Sequence, residues 1–190
     1  LKDNLKIIKS VRETEEISKL IKDSNGVFLI PAFVGLSNPH WLPDSQGMIY
    51  GLTPSANKNH LIRASLESIA FQIKDYLEDL ENNKKINLNN IFIDGGMTEN
   101  VFLLQLISNL LNKKINVSNF ADMSAYGSLL MGLLGMKLIS NTKDLGKYKI
   151  KYTQYRPIKN NNDIKVYRKW KQILINYYIN NDKWFMINHE

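Results

Sequence analysis

The ten residues Ile91-Phe92-Ile93-Asp94-Gly95-Gly96-Met97-Thr98-Glu99-Asn100 constrain the fold more than any other stretch of the chain. Ile91 to Ile93 is a short run of β-branched and aromatic types, and beyond it Phe102, Leu103, Leu106, Leu110 and Leu111 recur at helical spacing. The pattern predicts a strand, a two-glycine turn and a helix. Glycine lacks a Cβ, so it takes positive φ and lets another molecule approach the backbone. The N–H groups and positive dipole end of a new helix favour an anion or a polar ligand edge. This is the geometry of a nucleotide site. Read from Asp-Gly-Gly alone, a β-to-α turn with a purely structural purpose is an equal alternative, and Asp94 is expected to accept backbone N–H bonds within the turn.

Composition narrows the rest. With 190 residues, 44% hydrophobic and 23% charged, the chain is ordinary for a globular fold of one sizeable core. Cysteine is absent, which removes disulfides, thiolate catalysis and thiolate zinc sites. No run approaches the roughly 18 apolar residues of a membrane span, and Leu1-Lys2-Asp3-Asn4-Leu5 has no signal-peptide succession, so a cytoplasmic chain with a cut N-terminal end is expected. The net charge of +7 is uneven: residues 1–136 hold 13 Lys+Arg against 14 Asp+Glu, and the last 54 residues hold 12 against 4. Those late cations, including Lys147, Lys149, Lys151, Lys159 and Lys165, stand singly among Tyr, Ile and Asn, so a solvated surface is expected rather than a nucleic-acid or membrane patch.

In chain order, residues 1–25 are expected to be helical, with Gly26 just past the helix end, and Val27 to Ile30 a buried strand. Pro31 to Pro43 is a loop stiffened by Pro31, Pro39 and Pro43. It carries Phe33 and Trp41, which would either line a small-molecule pocket or cap the core. Gly47 to Leu52 is a second strand, and Asn57 or Asn59 an N-cap for a long helix with the stripe Ile62, Leu66, Ile69, Ile73, Leu77 and Leu80. Arg63 and Glu67, four apart, are expected to form a surface pair, and His60 to serve the first turn rather than a metal. Ile115 to Val117 is a further strand. In the helix after Asp122, Ser124, Ser128, Gly132 and Gly135 form a small face needing a close neighbour, opposite Leu129, Leu130, Leu133 and Leu134 as core. The tail holds Tyr155-Arg156-Pro157, an Asn-rich linker at residues 160–162 and a last helix with Val166, Trp170, Ile173, Leu174 and Tyr177. The chain is expected to be a single domain over 1–190, with 1–140 as main body and 141–190 as a basic tail with the final helix.

Gly47-Met48-Ile49-Tyr50-Gly51-Leu52, followed after a short spacer by His60-Leu61-Ile62-Arg63-Ala64-Ser65-Leu66-Glu67, resembles the second signature of the FGGY family of carbohydrate kinases. Pro31-Ala32-Phe33-Val34-Gly35-Leu36 with Pro39-His40-Trp41 is similar to the loop of the glycerol-phosphorylating members, and xylulose-specific members differ there. Asp94-Gly95-Gly96 with Asn100, and Ser124-Ala125-Tyr126-Gly127, carry the same likeness, which runs to about Trp184 and is weakest after Met136. Met97, Val34, Leu42 and Gln46 depart from the family's usual residues. The resemblance implies an α/β fold of ribonuclease H-like (actin-like ATPase) type, here the C-terminal kinase domain incomplete at its N-terminus. It also implies MgATP as cofactor and glycerol as substrate, both bound against a missing N-terminal domain. It assigns Gly95, Gly96, Met97 and Asn100 to the nucleotide and Phe33 to the substrate, with no catalytic residue and no metal ligand in this chain, the catalytic base being an Asp upstream. Homo-oligomerisation is left open. The alternatives are a kinase of another polyol or sugar, or a non-catalytic interaction module using its basic tail.

Overall fold

The computed structural model describes residues 1–83, 85–120, 122–158 and 161–179. Lys159, Asn160 and Trp184 lie outside the described residues. The first helix is shorter than the sequence pattern suggests: α1 is Arg12–Leu20, and the residues before it form turns. Gly26 sits six residues beyond its end, in the turn that enters β1. β1 (Phe28–Ile30) pairs antiparallel with β2 (Met48–Tyr50), Phe28 opposite Tyr50. Between them runs the proline loop. Leu36 and Leu42 bridge across it, and Gly35 at φ +85° has no room for a Cβ, which would fall 2.4 Å from Pro43 O, so the loop closes on its own backbone.

The long helix α2 (Lys58–Asn82) begins at a capping box, in which the Asn57 side chain accepts from the His60 N–H and the His60 ring accepts from the Asn57 N–H. Its apolar stripe packs on α3 (Val101–Leu111), β1 and α5 (Asn161–Leu174). β3 (Ile91–Ile93) runs parallel to β4 (Ile115–Ser118), which pairs on its other side with antiparallel β5 (Tyr152–Tyr155). The parallel pair requires the intervening helix as crossover, and α3 supplies it. β5 lies inside the basic tail, where the side-chain alternation was too polar to announce a strand. The core gathers Phe28, Ile30, Phe71, Leu103, Leu104, Ile107, Leu110, Ile115, Tyr167 and Trp170, and the last helix docks into it through its aromatic rings.

Two expectations are overturned by packing. Arg63 and Glu67 are not a surface pair. Glu67 is 6% exposed and bonds Arg63 Nε at 2.8 Å, while Arg63 donates to Ser18 O at 2.7 Å and Ile21 O at 2.6 Å and lies over the Phe102 ring. One guanidinium thus closes the C-terminal end of α1 against α2 and α3. Burial pushes the Glu67 carboxyl up, against the lowering pull of Arg63. The second concerns α4 (Met123–Gly135): none of its residues is buried, Leu129 is 56% exposed, and no atom lies within 4 Å of where a Cβ would stand on Gly127, Gly132 or Gly135. Its leucines do not form core: Leu129 is exposed, and Leu130, Leu133 and Leu134 are only half-buried. No described helix is long and apolar enough to cross a membrane.

Candidate functional site

The turn after β3 is more finely divided than a strand followed by a helix. Gly95 takes φ +105° with ψ 173°, a conformation closed to side-chain-bearing residues, and the chain then makes a 3₁₀ turn, Gly96–Glu99, before α3 begins at Val101. Thr98 closes that turn, its hydroxyl donating to Gly95 O at 2.7 Å and its N–H to the same oxygen at 3.0 Å. Asp94, expected to do this, is exposed and accepts no hydrogen bond among the described residues. The helix dipole expected directly behind the glycines is therefore displaced: α3 starts five residues after Gly96 and is capped from within.

Asn100 is that cap. Its Oδ1 accepts the Leu103 N–H at 2.9 Å, its Nδ2 donates to Thr14 Oγ1 at 3.3 Å, and only 6% of it is exposed. The second of these bonds joins the turn to α1, 86 positions away in sequence. Around this junction lies a cavity of about 920 Å³ lined by Gly96, Met97, Glu99 and Asn100 on one side and by Val11, Arg12, Glu15, Glu16 and Lys19 of α1 and its N-terminal edge on the other. Three of the four residues assigned to the nucleotide thus share one wall; Gly95 shapes the turn without lining the space. Nothing lies within 4 Å of where a Cβ on Gly96 would point, so its backbone is open to a neighbour. The wall contributed by α1 was missed in the sequence, where those residues read as an amphipathic helix. Its charges are mixed, with Arg12 3.7 Å from Glu99 and Lys19 bonded to Glu15.

Phe33 is elsewhere. Its ring lies edge-on to the Gly47 backbone and is 74% exposed, and Trp41 of the same loop is 71% exposed. Neither ring caps the core. The loop that bears them is stiffened by its prolines and by the Leu36–Leu42 bridge.

A model of the FGGY family of carbohydrate kinases, C-terminal domain, matches residues 4–136, and the chain belongs to that family. Its α/β architecture is accordingly that of the C-terminal domain of these actin-like, ribonuclease H-like kinases. Glycerol kinase from Clostridium perfringens (strain SM101 / Type A) is 37% identical over 175 residues, covering 92% of this chain and 35% of that protein. Glycerol kinase from Fusobacterium nucleatum subsp. nucleatum is 39% identical over 145 residues, 76% of this chain and 29% of its own. Among solved structures, Plasmodium falciparum glycerol kinase with ADP superposes with a TM-score of 0.78 at 26% identity, over 93% of this chain and 35% of that one. A ligand-bound xylulose kinase from Lactobacillus acidophilus superposes with a TM-score of 0.74 at 20% identity, over 93% of this chain and 37% of its own, a likeness of fold. The chain spans about a third of the length of the curated relatives it matches.

Proposed function

We propose that this chain is the nucleotide-side part of a cytoplasmic glycerol kinase, which transfers the γ-phosphoryl group of MgATP to glycerol to give sn-glycerol 3-phosphate. The observation that carries the reading is the cavity walled by Gly96, Met97 and Asn100. Its volume, about 920 Å³, lies within the roughly 300–1,000 Å³ common for small-molecule sites. The open backbone at Gly96 suits the close approach of a flat or anionic ligand. The identities of 37% and 39% with glycerol kinases support glycerol over another polyol or sugar.

Bound MgATP supplies the phosphoryl group and the charge that neutralises it. In this reading Mg²⁺ would come in with ATP and help neutralise the phosphate charge, and no residue of this chain is assigned to hold it. This chain's own contributions are then positional. Gly96 and Met97 bound the nucleotide, Asn100 holds the turn against α1 and offers its remaining polar edge, and Phe33 gives glycerol an apolar wall. Phosphoryl transfer also needs a base to orient the attacking hydroxyl. The reading gives that role to no acid of this chain and assigns the base to an N-terminal domain of the same enzyme. The incompletely buried leucines of α4 fit a chain with such a partner. An interaction module built on the basic tail has less support, because Lys171 and Lys147 are already paired with acids.

The test is ATP-dependent formation of glycerol 3-phosphate by the purified 190-residue chain and by a polypeptide carrying both domains. The two-domain protein is expected to be active and the chain alone inactive. Product from the chain alone overturns the assignment of the base; turnover of another polyol in preference to glycerol overturns the substrate.

A further inference from the structure

The proline loop is tied down by a cluster of charged groups that the proposed phosphoryl transfer leaves unused. His40 Nε2 lies 2.6 Å from Asp75 Oδ2 on α2, and Lys171 Nζ on α5 lies 2.8 Å from the other oxygen, Oδ1. Asp75 is 3% exposed. Burial alone would raise its carboxyl, but the hydrogen bonds from His40 and Lys171 prevail and hold it below the usual carboxylate range. Lys171 also lies 3.0 Å from Glu78 Oε2, which accepts the Tyr167 hydroxyl at 2.6 Å. The same C-terminal segment reaches the loop's flanks. Trp170 Nε1 donates to Leu29 O at 2.9 Å, just before the loop, and the Tyr178 hydroxyl donates to Gln46 O at 2.6 Å, just after it.

We propose that Asp75 is a positioning residue, and that α5 clamps the loop 31–43 through the bridge His40–Asp75–Lys171, fixing where Phe33 and Trp41 are held. The physical need is plain. Two exposed rings gain little from burial, and the loop's own apolar anchors are small in number: Ala32 and Leu36 are buried, and Leu42 is half-buried. A charge-assisted bond to a buried carboxylate is directional and strong, and removing Lys171 leaves the buried Asp75 with only His40 and, at 3.5 Å, the Tyr167 hydroxyl. It therefore adds a directional tie at His40, beside Trp41, to what apolar packing supplies at Ala32, Leu36 and Leu42. The clamp engages α5, which lies beyond the residues 4–136 that the family model matches. That the clamp sets glycerol affinity rests on the glycerol kinase reading; that it holds the loop does not.

Lys171→Met, Asp75→Asn and Lys171→Arg separate these statements. In the 190-residue chain, amide hydrogen exchange at Leu36, Trp41 and Leu42, whose N–H groups bond within the loop, is expected to accelerate roughly tenfold or more in the Met and Asn variants. Ile107 and Leu110 in α3 should change much less, and Lys171→Arg should restore the parent rates. In the two-domain kinase, KM for glycerol should rise about tenfold with KM for ATP and kcat changed less than about twofold. Equal acceleration in loop and α3, or no acceleration in either, overturns the clamp, since the cluster then serves global stability or nothing. Selective acceleration with glycerol KM unchanged supports the clamp and overturns the assignment of Phe33 to glycerol.

Discussion

Gly95 and Gly96 are adjacent, yet substitutions at the two should do opposite things. Gly95 sits at φ +105° and ψ 173°, where a Cβ is strained by about 1–3 kcal/mol. For a chain of this size each kcal/mol moves the melting temperature by about 2–4 °C, so Gly95→Ala should melt roughly 2–12 °C below the parent. Gly96 has no positive φ, and no atom stands within 4 Å of its missing Cβ. Valine and glycine differ by only a few tenths of a kcal/mol in helical propensity, so Gly96→Val should melt within about 2 °C of the parent. The branched side chain would nevertheless project from a wall of the cavity shared with Met97, Asn100 and α1. If the nucleotide lies there, titration of the two-domain protein with a non-hydrolysable ATP analogue should show affinity reduced about tenfold or more, at least 1.4 kcal/mol. Glycerol binding should be nearly unchanged. A melt more than about 5 °C low for Gly96→Val would refute the local geometry. A parent-like melt with parent-like ATP affinity would refute the placement of the nucleotide. Because Gly96→Val is structurally mild, loss of ATP binding cannot be blamed on misfolding.

Asn100→Ala removes the cap of α3 and its bond to Thr14; the loss of about 0.5–2 kcal/mol should lower the melting temperature of the chain by roughly 1–8 °C, with Asn100→Ser, which keeps a capping oxygen, closer to the parent. Phe33→Ala should leave the melt within about 1–2 °C because the ring is 74% exposed, while raising KM for glycerol more than KM for ATP in the two-domain enzyme; equal changes in both constants would count against Phe33 as the substrate wall. Asp75 and Glu78 are held below their ordinary values of 3.8 and 4.5, so their contribution is present above those values and is lost as pH falls through the folded ones; melts from about pH 6 to pH 3 should decline, and the decline should be shallower in Asp75→Asn. Glu67, raised by burial, acts in the opposite sense as pH rises through its folded value, which makes the difference between parent and variant the quantity to measure.

Much of the nucleotide-side wall is legible in the sequence, because its signals are local. A β-branched triplet, two glycines and a 3.6-residue stripe predict β3, the turn and α3, and an Asn cap, Asn57 or Asn59, before the apolar stripe predicts the start of α2. The stiffness of the Phe33 loop follows in the same way from three prolines. The functional assignments of Gly96, Met97, Asn100 and Phe33 come from the family's pattern, and the turn's own residues leave a structural alternative standing.

What the chain's amino acids determined alone was therefore which segments turn, extend or coil, and which faces are apolar. What meets those faces was settled by long-range packing. Asn100 reached Thr14 across 86 positions and brought α1 up as the second wall of the cavity. Arg63 and Glu67, spaced for a solvent-facing pair, were enclosed because α1 ends on the guanidinium. β5 became a strand by pairing with β4 rather than by its own alternation, and α4, though apolar like α3, has no fully buried residue. The physical reason is the same in each case: periodicity and capping are written in neighbouring residues, whereas burial depends on long-range contacts, and a hydrophobic stripe specifies that it needs a cover without specifying which one.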